Sequence, residues 1–264
     1  MTTDIEPDAR VGYLTRRFVT AINGGQPAEM AALFVPDSLV VTEPGRVVQP
    51  QDQEHGGGFD LLAAVLPTVY EGDDLALLLV EWTVHSTDPV TGDKFHSTGR
   101  ACDVGIRGSD GVWRVIIDNG SGSGSADASS VLGADDSGLD GETGRLTSRF
   151  RDALNGEDWE GLRDLFGPAS VFVSEVGVEA TGPEREAALR SLAGCTLRTA
   201  VRHSYVAGDV AHVIVDWALE GATEFTGTAA NVLRRGTDGH WRYAICNPFG
   251  SAPYRDSSER VRSV

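Results

Sequence analysis

The stretch LTRRFVTAINGGQPAEMAALFVPDSLVVTEPG, residues 14–45, returns as LTSRFRDALNGEDWEGLRDLFGPASVFVSEVG, residues 146–177. The two lie over each other without a gap, at the spacing that separates Asn23 from Asn155. Arg17 falls on Arg149, Phe18 on Phe150, Pro36 on Pro168, Val41 on Val173, Glu43 on Glu175 and Gly45 on Gly177. Further on, YEGDDLALLLVEWTV (70–84) matches YVAGDVAHVIVDWAL (205–219), which sets Trp82 over Trp217. TGRACDV (98–104) matches TGTAANV (226–232), and DGVWRVIIDNG (110–120) matches DGHWRYAICNPFG (238–250). A repeat of this length decides the architecture: one folding unit is written twice.

Between the copies lies GSGSGSADASSVLGADDSGLDG (120–141), dominated by Gly, Ser, Ala and Asp. Such a composition predicts a flexible, solvated tether, and about 20 residues of it reach roughly 25 Å, enough for two small units to pack side by side. The reading is therefore unit 1 over 1–119, a linker over 120–141, and unit 2 over 142–264.

Within each unit the hydrophobic period changes from helical to alternating. Val11, Leu14, Phe18 and Ile22, and in the second copy Leu146, Phe150 and Leu154, recur at helical spacing until Asn-Gly stops them. Pro27 suits the first position of a second helix carrying Met30, Leu33 and Phe34; its counterpart carries Trp159, Leu162, Leu165 and Phe166. A third helix is expected over Phe59–Leu66 in unit 1 and over Arg185–Leu192 in unit 2. Strands are expected at 75–85, 95–107 and 112–119, and again at 210–219, 224–235 and 241–247. The class is α+β, with three helices laid on one face of a curved antiparallel sheet in each unit.

The 264 residues carry a formal charge of −17 and a pI near 4.6. Such a surface repels phosphate backbones and anionic headgroups, and its only basic clusters are the pairs Arg16-Arg17 and Arg234-Arg235. Neither nucleic acid nor a membrane is expected as partner. No apolar run is long enough to span a bilayer, and MTTDIEPDAR has neither a basic start nor an apolar core, so a cytoplasmic location is the expectation. Cys102, Cys195 and Cys246 are scattered and form no CxxC pair, which suits buried thiols rather than disulfides or zinc.

An α-α-β-α-β-β-β order, together with AINGGQPAEMAALFVPDSLVV, VEWTV, TGRACDV and DGVWRVIIDNG, resembles the nuclear-transport-factor-two-like superfamily. The ending DGHWRYAICNPFG is most similar to its bacterial SnoaL-like and ketosteroid-isomerase-like branch. The resemblance implies a cone-shaped sheet closed by helices around an apolar pocket, and pairing of the units through their sheets as an internal pseudo-dimer, open to a further homodimer. It also implies a small apolar metabolite, polyketide- or terpenoid-like, and acid/base chemistry such as cyclisation, isomerisation or epoxide opening. A non-catalytic small-molecule-binding or assembly module is the alternative, because this fold hosts both.

In the ketosteroid isomerases of that superfamily a carboxylate near the first strand takes a proton, while a late-strand acid and a first-helix tyrosine hold the oxyanion. The resemblance sets the late-strand acid on Asp103 in unit 1 and on Asn231 in unit 2. It sets the tyrosine on Phe18 and Phe150, which cannot donate. The base falls on Thr42 and Ser174, or one residue on at Glu43 and Glu175. Steroid isomerisation is therefore not expected. Asp103 and Glu43 are the candidate catalytic residues, and Phe18, Thr42, Trp82, Phe150, Ser174, Trp217 and Asn231 the candidate pocket lining.

Strand alternation supplies competing expectations. Cys102, Val104 and Ile106 form one apolar set, which would leave Asp103 on the polar face with Arg107. Asp118, which becomes Cys246 in the second copy, shares parity with Arg114 and Ile116 against Trp113, Val115 and Ile117, and so is expected to point outward. Glu43 and Glu175 sit beside turn glycines and read equally as solvated loop carboxylates. His85 and His96 flank a turn but lack metal-ligand spacing, so no metal is expected. EHGGGFD (54–60) resembles an esterase oxyanion loop yet has no GxSxG partner, and reads as a flexible helix entry. With no phosphate-binding loop or dinucleotide fingerprint, no cofactor is expected.

Overall fold

Leu14 and Ala21 are buried on one side of α1 (Gly12–Asn23), as Leu146 and Leu154 are on α3 (Glu142–Asn155), because residues at these spacings share a helix face. Gly24 and Gly156 cap the two helices, and the next residue in unit 1, Gly25, takes φ 59°, where a side chain would be strained. The second helices are α2 (Pro27–Ala32) and α4 (Trp159–Asp164); the latter is capped by Asp158, whose Oδ1 accepts a hydrogen bond from the Gly161 N–H at 2.9 Å. The structure, a computed structural model, describes residues 10–52, 59–63, 68–87, 90–124, 141–221 and 224–251.

Unit 1 contributes β1 (Phe34–Glu43), β2 (Arg46–Val48), β3 (Phe59–Ala63), β4 (Thr68–Glu71), β5 (Leu75–Thr87), β6 (Lys94–Arg107) and β7 (Trp113–Asp118). Unit 2 contributes β8 (Phe166–Glu175), β9 (Val178–Ala180), β10 (Thr196–Ala207), β11 (Val210–Glu220), β12 (Phe225–Arg235) and β13 (Trp241–Cys246). The sheet orders are β2-β1-β7-β6-β5-β3, with β4 also on β5, and β10-β11-β12-β13-β8-β9. β1 runs parallel to β7, and β8 to β13; every other pairing is antiparallel. The sheets are thus mixed rather than wholly antiparallel. A parallel pair needs a long connection, and here most of a unit lies between its first and last long strands.

The third helix appears in unit 2 as α5 (Gly182–Arg190), three residues ahead of its expected start. Unit 1 departs from expectation. Phe59–Ala63 is a strand that pairs with β5 from Ser86 back to Trp82, so the expected helix over Phe59–Leu66 is not formed there. β3 takes the edge of β5 that the first residues of β10 take on β11, where Thr196–Thr199 pair with Glu220–Trp217. Residues 53–58 and 64–67, which include most of EHGGGFD, lie outside the described residues.

Both faces of each sheet are covered. One face meets the helices: in unit 1 Leu14, Leu33, Leu78, Ala101, Trp113 and Val115 pack together, and in unit 2 Leu146, Leu162, Phe172, Val215, Leu233 and Trp241 do the same. The opposite faces meet each other. Leu77, Val104 and Ile117 of unit 1 join Ile214, Val232 and Ile245 of unit 2 in one buried core.

Repeat-equivalent residues make matching contacts across that junction. The Gly177 N–H donates to Tyr70 Oη at 2.9 Å, and the Gly45 N–H donates to Tyr205 Oη at 3.1 Å. Ser123 and Ser251 exchange contacts likewise, each backbone N–H donating to the other's Oγ, at 3.3 and 2.9 Å. Ser123 is 3% exposed, so the first residues of the stretch read as a tether are folded into this seam. Residues 125–140 lie outside the described residues. Tyr70→Phe and Tyr205→Phe should each lower stability by about 1 kcal/mol, the net worth of one hydrogen bond, and by roughly the sum together. Urea unfolding of the full chain checks this; two silent substitutions would show that the turns are not held from across the seam.

Candidate active site

The site is built where a strand changes face. Asp103 on β6 lies opposite Leu78 on β5, and Leu78 belongs to the core beneath the helices. Its neighbours Cys102 and Val104 belong to the core between the sheets. Asp103 therefore sits on the helix side, not on a solvated polar face, because β6 has no solvated face at this level. On β7, Trp113 and Val115 also pack under the helices. The β6–β7 register slips between Val104 and Gly105, and past the slip Ile117 faces the other sheet. Asp118 then returns to the helix side, where it hydrogen-bonds with Asp103. The outward placement expected for Asp118 is thereby corrected. A bulge adds one residue and inverts every parity beyond it.

The two carboxyl groups lean on the same support. Asp103 Oδ1 accepts the Asn119 N–H at 2.9 Å, and Asn119 Nδ2 donates to Gly122 O at 3.0 Å. Burial pushes the Asp103 carboxyl well above the usual carboxylate range, and the charge of Asp118 pushes it further, against the pull of the Asn119 N–H. Burial likewise raises Asp118, to about 6, with the hydrogen bond from Asp103 working in the other direction. Two carboxylates in one desolvated wall cannot both stay ionised, so they hold a proton between them. Both residues nevertheless keep some accessible surface. The pair can give or take a proton near neutral pH.

Unit 2 repeats the frame without the charge. Asn231 replaces Asp103, and its Oδ1 accepts the Asn247 N–H at 3.1 Å. The register slips at the matching place, between Val232 and Leu233, and Cys246 occupies the position of Asp118. Asn231 and Cys246 line a cavity of about 420 Å³ together with Phe150, Phe172, Trp217 and Tyr243. Burial raises the Cys246 thiol to about 12 and lifts the Tyr243 phenol as well, so neither ionises at neutral pH. This cavity is largely apolar, and the carboxylate of Glu175 belongs to its wall beside Ser174.

The other expected residues divide. Phe150, Ser174 and Trp217 line the unit 2 cavity with Asn231. Phe18 packs edge-on against Phe34, their ring centres 6.2 Å apart, as Phe150 does against Phe166. Trp82 and Trp217 are anchored at their indole N–H groups, to Gly120 O and Pro248 O, both at 2.8 Å. Each ring lies flat on a glycine, Gly99 or Gly227, where a Cβ would have no room. Thr42 is exposed, its hydroxyl turned to Arg46 O at 3.5 Å. The Glu43 side chain is 70% exposed and pairs with Arg46 at 3.6 Å; it does not join Asp103. Asp118 is the candidate that strand alternation set aside, and the sequence marks it by two paired changes, Asp103/Asn231 with Asp118/Cys246. His85 and His96 do face each other across β5–β6, ring centres 5.3 Å apart, but no cluster of three potential metal ligands exists among the described residues.

Each unit is an α+β fold in which helices cover one face of a mixed sheet whose first and last long strands lie side by side. The chain carries two in tandem. No family model and no curated protein matches it. Solved structures that resemble it span the length of one unit. A nuclear transport factor 2 (NTF2-like) superfamily protein from Salmonella enterica is 16% identical with a TM-score of 0.35, covering 41% of this chain and 85% of that one. An LEH-like epoxide hydrolase of M. tuberculosis is 19% identical with a TM-score of 0.34, covering 41% and 82%. ActVI-ORFA from Streptomyces coelicolor is 18% identical with a TM-score of 0.35, covering 43% and 98%. Among the described residues no helix is long and apolar enough to cross a membrane.

The raised carboxyl pair leaves a signature in stability. A raised folded-state pKa stabilises fully below the unfolded value, and that contribution is lost as pH rises through the folded one. For Asp118, moved from 3.8 to about 6, the loss amounts to about 2 kcal/mol between pH 4 and pH 7. Asp118→Asn should therefore become more stable relative to the parent as pH rises across that window. Urea unfolding of both proteins at pH 4, 5.5 and 7 measures the difference; one that stays flat would mean the pair is ionised and solvated.

Proposed function

We propose that unit 1 is an acid/base catalyst acting on a small apolar metabolite, by cyclisation, isomerisation or epoxide opening. One observation carries this: two carboxyl groups hydrogen-bonded to each other and largely desolvated, in only one of the two units. An acid–base pair works near neutral pH when one member holds a proton and the other can accept one. Asp103, raised further and donating to Asp118, serves as the acid toward a substrate oxygen. Asp118, at about 6, serves as the base. Asn119 holds Asp103 in place through its backbone N–H, which makes it a positioning residue. Glu43, solvated and paired with Arg46, has no part in the chemistry.

A second reading, a non-catalytic binding module, draws support from unit 2, where the same positions carry Asn231 and Cys246. The pair Asp103→Asn and Asp118→Cys rebuilds that wall in unit 1. It should fold normally, because Asn231 Oδ1 shows that an amide satisfies the same backbone N–H. Incubating a metabolite extract of the source cells with the parent protein should give a substrate consumed and a product formed, seen by untargeted mass spectrometry. The double variant should show neither change, a loss of at least about a hundredfold in rate. Equal conversion by the two proteins, or none by either, would remove the catalytic reading.

A further inference from the structure

We infer that the cavity between α2 and β1 of unit 1 receives an arginine side chain from a helical segment of a partner protein. This site is separate from the Asp103–Asp118 pair and from the cavity of unit 2. Its basis is that the second copy shows the same cradle filled. There Arg185 of α5 is buried, its guanidinium 4.7 Å from the centre of the Phe166 ring. Its Nη1 donates to the Ser170 backbone oxygen at 2.8 Å and also to Ser170 Oγ. The surrounding chain holds that cradle in shape. Ser170 Oγ donates to Gly167 O at 2.6 Å, and Phe166 stands edge-on to Phe150, ring centres 6.2 Å apart at 65°.

Unit 1 repeats every part of that cradle except the cation. Ser38 Oγ donates to Val35 O at 2.6 Å, and Phe34 stands edge-on to Phe18 with the same 6.2 Å and 65°. The β1–β7 ladder slips between Phe34 and Leu39, as the β8–β13 ladder does between Phe166 and Val171. Ser38 is fully buried, yet among the described residues no side chain donates to it and no cation stands over Phe34. Instead Met30, Phe34, Val35, Pro36, Ser38 and Pro50 line a cavity of about 530 Å³. From residue 47 to residue 93 the sequence holds no arginine or lysine, so the stretch that corresponds to α5 cannot supply the group. The space is mostly apolar and has the size of a site for a body larger than one side chain, which suits an arginine arriving on a helix, as it does on α5. Asp37, exposed beside Ser38 where unit 2 has Ala169, is in no ion pair among the described residues. It attracts a cation to the mouth of the cavity, as does the formal charge of −17.

The probe is the peptide GPEREAALRSL, the sequence of residues 182–192, dye-labelled and titrated with the full chain by fluorescence anisotropy. It should bind with a dissociation constant below about a millimolar. Arg185→Leu within the peptide should weaken binding about tenfold, the effect of a hydrogen bond from a charged group. Phe34→Leu in the protein removes the ring face and should weaken the original peptide more than the leucine peptide. Should that variant fail to fold, Ala31→Trp, at an exposed helix position in the cavity wall, fills the space with Phe34 and Ser38 intact and should abolish binding. Propylguanidinium, the side chain without the helix, should bind at least about tenfold more weakly than the peptide. Equal affinity for the two would make this a site for a free small molecule and overturn the protein partner. No binding of the peptide, binding that ignores its arginine, or binding that survives Ala31→Trp would each overturn the site itself.

Discussion

The core shared between the two sheets governs the rest of the molecule. Because Leu77, Val104 and Ile117 are turned against Ile214, Val232 and Ile245, neither sheet has a face left for water on that side. The helices cover the other. Strands β6 and β12 are consequently covered on both faces at mid-length, and polar groups there find partners within the protein. Asp103 and Asn231 find theirs in the backbone N–H of Asn119 and Asn247, one strand away. The seam also explains the tandem arrangement. Tyr70 reaches the turn at Gly177 and Tyr205 the turn at Gly45, so each unit finishes a turn belonging to the other.

Within that frame the two units part company at two positions. The register slip places both residues of each pair on the helix side: aspartates in unit 1, Asn231 and Cys246 in unit 2. Burial acts on all of them, but only the aspartates respond by moving a proton into the range where chemistry at neutral pH needs it. In unit 2 the same burial pushes Cys246 out of reach of ionisation. One fold thus carries a pair of carboxyl groups in unit 1 and an amide with a thiol at the same positions in unit 2.

Much of this was legible in the sequence. The gapless match of residues 14–45 with 146–177 located the duplication, both pairs of opening helices and the order of strands. The Asp103/Asn231 contrast was visible too. What failed was the reading of faces. Alternation assumes one wet and one dry side, and it placed Asp118 outward; a bulge that no local residue announces, in a sheet buried on both sides, reversed it. Glu43 looked like a base because it lies one residue past Thr42, but the turn at Gly45 carries it into solvent beside Arg46. The helix expected over Phe59–Leu66 was lost to pairing with the long β5, a tertiary demand that local pattern cannot show.

The central claim is that Asp103 and Asp118 share one proton at neutral pH. Carbon-13 NMR of the full chain with carboxyl-labelled aspartate, titrated from pH 3 to pH 9, tests it most directly. Two aspartate signals should titrate together, with one proton leaving near pH 6 and the other well above it, and both transitions should disappear in the variant with Asp103→Asn and Asp118→Cys. If every aspartate in the parent protein is ionised by pH 5, the shared proton does not exist and the catalytic reading of unit 1 falls with it.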